Sequence, residues 1–251
     1  MCHDHDSRPP APPRTGSVRE RGMVTLSSSD GTEFSAAYAA PGEEARVGVV
    51  VLPDVRGLHP YYVALAERFA ETGAAAVAID WFGRTAGVCG GSGTREAGFE
   101  WQAHIPQTTP EAIDADIDAA IAYLRERTSA DLPVVTVGFC FGGSHSWRQA
   151  GGDLDLAGCA GFYGKPSMVG PAAARAHRPT VMVIAGADAA TPVAEQLALA
   201  DTMRSGGAEV DAAVYEGAPH SFFDRAHDEW AEACQDAWGH VLALTDRVAS
   251  R

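Results

Sequence analysis

From Val24 onward, short unbroken apolar runs alternate with longer segments in which apolar residues return every three or four positions. The unbroken runs RVGVVVLPD, GAAAVAIDW, LPVVTV, LAGCAGFYG, PTVMVIAG and VDAAVY suit strands buried on both faces of a parallel sheet. Helical spacing fills the gaps between them. HPYYVALAERFAET predicts a helix ending at Gly73, and Thr108 to Arg127 predicts another, with Ile113, Ile117, Ile121 and Leu124 on one face and Thr108 and Glu111 as a capping box. Further helices are expected from Cys140 to about Ala150, from Thr191-Pro192 to Gly206-Gly207, and from about Ala226 to the end. Ahead of all these, MVTLSSSDGTEFSAAYAA carries Asp30-Gly31 between two alternating segments, a hairpin signal. The pattern predicts an α/β chain with one mostly parallel, doubly wound sheet and an N-terminal antiparallel hairpin.

Residues 21–251 contain no interdomain linker and are expected to form one domain, a size at which a single core can be buried. Residues 1–20 are polar and proline-rich and predict an extended arm. Its cluster Cys2, His3, Asp4, His5 and Asp6 contains metal-ligand types, but five adjacent residues on an unanchored arm make a poor closed site, so no metal is expected. The Gly-rich stretch Gly83 to Gly98 is too long for a tight turn and predicts a surface excursion.

Thirty-three acidic against nineteen basic residues give a formal charge of −14, which argues against nucleic acid as a partner. No apolar run is long enough for a membrane span. The five cysteines are scattered and form no C-x-x-C pair, and the N-terminal residues contain no apolar signal region, so a cytoplasmic protein with reduced thiols is expected.

One of those cysteines sits in an unusual setting. Residues 138–143 read GFCFGG directly after the run LPVVTV. This is the G-x-S-x-G nucleophile elbow with cysteine in place of serine: a sharp strand-to-helix turn that needs small residues two positions before and after the nucleophile. Gly138 and Gly142 meet that need. The following helix aims its free N–H groups at the sulfur, favouring a thiolate and making the Phe141 N–H the natural first oxyanion-hole donor. The alternative is that Cys140 is an ordinary buried cysteine.

A thiol attacking an acyl carbon needs a base, and the base an orienting carboxylate. On a sheet of this kind they follow the nucleophile in the order acid, then histidine, each just past a strand. GADAATP supplies Asp188 after one strand and PHSFFD supplies His220 after the next, with Asp211 and Asp224 as alternative carboxylates. His145, His177, His227 and His240 fall in helices or before a strand. Ser144 and Ser146 lack glycines on both sides and are expected on a helix surface.

GFCFGG, GADAATP, PHSFFD and LPDVRGLHPYY together make residues 22–248 resemble the dienelactone hydrolase family of α/β-hydrolases. The resemblance implies the α/β-hydrolase fold, a Cys140–Asp188–His220 triad, and lactone or activated-ester substrates hydrolysed without a cofactor. It implies that Asp54 of LPDVRG orients the resting thiol and that Val55 gives the second oxyanion-hole N–H, although Asp54 could instead cap the following helix. It also implies that Arg84 of DWFGRT grips a substrate carboxylate, while Asp224 stands where a second such arginine would be. A carboxylate there opposes an anionic substrate.

Tyr62, Trp81, Phe139 and Phe222 lie among further aromatics in these same loops and are candidates for an apolar pocket, although each such ring is more often core. Two other functions fit the residues: acyl transfer or cyclisation on the same triad, and a non-catalytic thiol sensor. Oligomeric state is not legible.

Overall fold

The computed structural model describes residues 6–250. Eight strands form one sheet in the order β1-β2-β4-β3-β5-β6-β7-β8. They are β1 (Val18–Ser27), β2 (Glu33–Pro41), β3 (Gly48–Leu52), β4 (Ala75–Ile79), β5 (Val134–Phe139), β6 (Gly158–Phe162), β7 (Thr180–Ala185) and β8 (Val210–Tyr215). The β1–β2 and β2–β4 pairings are antiparallel and all the others parallel. The helices are α1 (Pro60–Glu71), α2 (Gly83–Ala86), α3 (Trp101–His104), α4 (Pro110–Arg127), α5 (Phe141–Arg148), α6 (Val193–Gly206) and α7 (Ala231–Ala249).

Alternation along each strand divides the core. Val49 and Val51 of β3 face a layer built with Tyr61, Leu65 and Phe69 of α1 and Trp238 and Val241 of α7. Val50 and Leu52 face the opposite way, toward Ile113, Ile117, Ile121 and Leu124 of α4. Further along the sheet, Met182 and Ile184 of β7 pack with Leu199 and Met203 of α6. Burial on both faces is why these strands read as unbroken apolar runs.

Three boundaries differ from the sequence reading. The N-cap of α4 is Thr109, whose side chain accepts the Ala112 N–H, while the Thr108 hydroxyl donates to the Ile105 carbonyl of the preceding turn. The cap thus lies directly before Pro110, whose fixed φ suits a first helical position. The C-terminal helix starts at Ala231 instead of Ala226, because residues 220–230 are a series of turns. The hairpin strand β1 begins at Val18, inside the segment expected to be an arm.

Of the N-terminal cluster, Cys2 to His5 lie outside the described residues. The rest of the arm is docked. Pro9, Pro10 and Pro12 are buried. The Trp238 indole N–H donates to the Pro10 carbonyl, Gln235 donates to the Ala11 carbonyl, and Arg14 makes a two-pronged contact with Asp246, all on α7. A chain shortened to begin at Ser17 is expected to lose about 2–3 kcal/mol, a fall of roughly 5–10 °C in Tm, from uncovering this apolar strip. Thermal unfolding by circular dichroism measures it.

Candidate active site

Cys140, Asp188, His220, Asp54 and Val55 all lie past the carboxyl ends of parallel strands, where an open α/β sheet builds its crevice. Cys140 follows β5 and precedes α5, with φ 55° and ψ −109°. That backbone lies outside the regions ordinarily open to a non-glycine residue, and such strain concentrates at functional sites. The two glycines permit the turn. A Cβ at Gly138 would run into the Gly142 carbonyl, and one at Gly142 would run into the Leu52 and Pro53 carbonyls.

The same closeness brings two chain segments together. The Gly142 N–H donates to the Pro53 carbonyl at 3.0 Å, which ties the loop after β3 to the first turn of α5. Phe141 N–H and Val55 N–H, one on each side of this tie, donate to no backbone acceptor among the described residues. Cys140 N–H is engaged with the Phe162 carbonyl at 3.0 Å.

Asp188 lies beyond β7 and His220 beyond β8. The imidazole Nδ1 is 2.7 Å from Asp188 Oδ2. Burial alone would raise the Asp188 carboxyl, but hydrogen bonds from His220, the Thr191 hydroxyl and the Ala190 N–H outweigh it and hold the group below the usual carboxylate range. It therefore stays ionised and fixes which imidazole nitrogen carries the proton. The rival carboxylates have other partners. Asp211 meets His240, and Asp224 accepts the Tyr163 hydroxyl.

The other histidines and thiols differ in setting. Burial pushes His145 down to about 3, and its Nδ1 faces Arg148. His227 Nδ1 lies 3.1 Å from the Asp224 carbonyl and its Nε2 3.2 Å from Asp228, both within the turns that follow His220. Burial pushes Cys159 and Cys234 up to about 12, so both remain protonated thiols at neutral pH. Ser144 and Ser146 are buried rather than on a helix surface. Ser144 Oγ donates to the Cys140 carbonyl and accepts the Lys165 N–H, and Ser146 bonds Thr136, because α5 is enclosed on nearly all sides.

Several expected roles do not match the placement. Asp54 does not cap α1, whose N-cap is His59, with its side chain accepting the Tyr61 N–H. Its buried carboxylate is instead gripped by the Arg56 guanidinium at 2.7 and 3.1 Å and accepts the Arg56 N–H. Arg84 is committed elsewhere: it pairs with Asp30 of the β1–β2 turn at 2.8 Å and with Asp116 of α4 at 2.7 Å, which opposes a role in holding a substrate carboxylate.

Tyr62, Phe139 and Phe222 are core residues. Phe139 stacks on Phe162 with ring centroids 4.5 Å apart, and the Tyr62 hydroxyl accepts the Asp54 N–H. Phe222 packs on Tyr215. Trp81 donates to the Asp54 carbonyl and meets Phe141 edge to face, which braces the loop carrying Val55. Two participants were not singled out in the sequence, Arg56 and the Asp80–Arg95 pair that ties the Gly-rich excursion to the same loop. Arginine two residues after Asp54 was the only available hint.

Comparison with known proteins identifies the family. A family model described as "Dienelactone hydrolase family" matches residues 34–248. A Methylorubrum extorquens protein whose curated name assigns it provisionally to the carboxymethylenebutenolidases is 26% identical over 229 residues, 86% of this chain and 77% of its own. The carboxymethylenebutenolidase of Pseudomonas putida is 28% identical over 152 residues, 56% of this chain and 60% of its own. Among solved structures, a dienelactone hydrolase-like promiscuous phosphotriesterase from metagenomic libraries superposes with a TM-score of 0.72 at 21% identity, over 91% of this chain and 98% of its own. An esterase from Pyrococcus furiosus does so with 0.68 at 14%, over 94% and 96%. With the elbow, the sheet order and the family match in agreement, the chain belongs to the dienelactone hydrolase family and is a carboxylic-ester hydrolase of the α/β-hydrolase fold.

Proposed function

We propose that this hydrolase opens a lactone or cleaves an activated ester through Cys140, His220 and Asp188, by way of an acyl-thioester. The observations that carry the reading are the 2.7 Å Asp188–His220 contact and a cysteine held at positive φ on an elbow, all past the carboxyl ends of parallel strands of one sheet. His220 takes the thiol proton, and the sulfur attacks the carbonyl carbon. The Phe141 and Val55 N–H groups receive the oxyanion of the tetrahedral intermediate. Collapse expels the alkoxide or enolate, which takes the proton from His220. His220 then deprotonates a water that attacks the thioester, and the acid leaves as the thiol reforms.

Arg84 is occupied by two carboxylates, and the position expected for a second anion-binding arginine holds Asp224, which is buried and bonded to Tyr163, so neither position offers a free cation. We therefore favour a neutral ester or enol lactone over a dienelactone that carries its own carboxylate. The protein is read as acting on a small molecule. Among the described residues no helix is long and apolar enough to cross a membrane.

The test is hydrolysis of p-nitrophenyl acetate, a neutral enol lactone and a carboxylated dienelactone by the wild type and by Cys140→Ala, with intact-mass spectrometry on quenched reactions. Turnover that favours the neutral substrates, a mass increase of one acyl group in the wild type, and the loss of both in Cys140→Ala are expected. Equal rates for wild type and Cys140→Ala on every substrate would remove the thiol from the mechanism. An adduct that discharges only when an alcohol or amine is added would reassign the enzyme to acyl transfer.

A further inference from the structure

Three non-glycine residues have positive φ among the described residues: Cys140 at 55°, Tyr163 at 39° and Ser221 at 67°. All three lie past the carboxyl ends of strands, after β5, β6 and β8, and the last two adjoin His220. Cys140 is explained by the elbow. The other two are not explained by glycine-like turn chemistry, since neither is glycine, asparagine or aspartate, and such strained backbone persists only where its surroundings enforce it.

What enforces Tyr163 is visible. Its ring packs on the His220 imidazole with centroids 4.8 Å apart and planes at 54°. Its hydroxyl donates to Asp224 Oδ2 at 2.8 Å, and its backbone N–H donates to the Val183 carbonyl. Asp224 belongs to the same turn as His220. It is buried, its other oxygen accepts the Arg225 N–H, and its own N–H is 3.2 Å from the Ser221 carbonyl. The turn that carries the histidine therefore holds Tyr163 at two points, by the face of its ring and by the end of its side chain, while Ser221, the strained residue between them, sets the direction of the turn.

The geometry points to Tyr163, anchored by Asp224, as a positioning residue for His220. The inference rests on the triad reading above. The Nδ1···Oδ2 contact with Asp188 fixes one atom of the imidazole, and a hydrogen bond at one atom does not by itself stop a ring from swinging about it. A wall against its face removes the swing and keeps Nε2 directed at one place. Asp224 anchors the wall with a carboxyl that burial, the largest effect, pushes up to about 8, against the Tyr163 and Arg225 hydrogen bonds. The charged and titratable neighbours that act on it are Asp54, which raises it, and His220, which lowers it. A carboxyl that holds its proton at neutral pH can anchor a tyrosine without placing a full negative charge in the core beside the base.

The experiment compares wild type, Tyr163→Phe, Asp224→Ala, Asp224→Asn and His220→Ala on the best neutral ester, with kcat, KM, the pH dependence of kcat, and Tm for each. Positioning predicts that Tyr163→Phe and Asp224→Ala lower kcat about ten- to a hundredfold with KM changed less than about threefold, the loss expected when a catalytic group is misplaced by a fraction of an ångström to an ångström. It also predicts that both shift the acid limb of the pH profile, and that Asp224→Asn, which still accepts a hydrogen bond, recovers most of the rate. If kcat and the acid limb stay at wild-type values in both variants, or fall only in proportion to folded protein as judged by Tm, Tyr163 is merely structural and the inference is overturned. Retained activity in His220→Ala would instead sink the triad reading itself, so the two failures are separable.

Discussion

His220→Ala is expected to lower kcat/KM on any ester that the wild type hydrolyses by about 10⁴-fold or more, with the fold intact. The imidazole is 28% exposed and makes its bond at the end of a loop, so its removal opens no core cavity. The loss is large because in the proposed mechanism one group carries two proton transfers: it deprotonates the thiol for attack and the water for release. Asp188→Asn should come close to the same loss. An amide in place of the carboxylate can present its NH₂ to Nδ1 and select the wrong imidazole tautomer, which turns Nε2 from acceptor to donor. Thr191 and the Ala190 N–H hold the side chain where it is, so the amide stays in position and cannot swing away to relieve the error. Initial rates from pH 5 to 9 measure both variants. In His220→Ala the acid limb should vanish, because the proposed proton acceptor that would set it is gone. A variant within tenfold of wild type at neutral pH would remove His220 from the chemistry.

How far this site was legible depends on whether each residue's role is set locally or by long-range packing. The elbow was readable because its demand is local: close approach of backbone at residues 138 and 142 leaves only glycine, and the strand before it and helix after it are visible in the hydrophobic pattern. The order of Asp188 and His220 after successive strands was readable for the same reason. The partners of Arg84 were not, because they come from residues 54 positions before it and 32 after it in the chain, Asp30 and Asp116, brought together only when β2 and α4 pack. The start of α7 was misplaced by five residues for a physical reason as well. DRAHDEW has ordinary helical composition, but the chain through residues 220–230 is held in turns by Ser221 at positive φ and by carbonyls such as Ser221 O, which is shared by the N–H groups of Asp224, Arg225 and Ala226. Strain of that kind leaves no mark in composition. It is resolved only by the contacts that repay it.

The same division explains why a buried ion pair near the site draws its arginine from a stretch that reads as mere glycine-rich excursion, and it leads to the largest expected effect on stability. Arg95→Met should cost about 3–5 kcal/mol and lower Tm by roughly 10 °C. Asp80, at the carboxyl end of β4, is fully buried and takes both the Nε and the NH2 groups of Arg95, the latter at 2.6 Å, together with the N–H groups of Leu58 and Phe82. Arg95 is only 8% exposed, lies over the Phe99 ring at 4.9 Å, and also donates to the Gly87 carbonyl. Methionine keeps much of the apolar stem and its packing, so the cost isolates the charge: a carboxylate left in the core with two neutral donors and no cation. Converting Asp80 to asparagine in the same chain removes that charge, and Asp80→Asn with Arg95→Met should recover more than half of the loss, a double-mutant cycle read by chemical denaturation. Activity should fall with it even at temperatures where the variant is folded. Arg95 N–H is bonded to the Leu58 carbonyl, and Leu58 lies three residues after Val55, so loosening the excursion loosens the loop that is proposed to present the second oxyanion-hole donor. An Arg95→Met protein that melts within 2 °C of wild type would mean that water reaches Asp80 in solution and takes the place of the guanidinium.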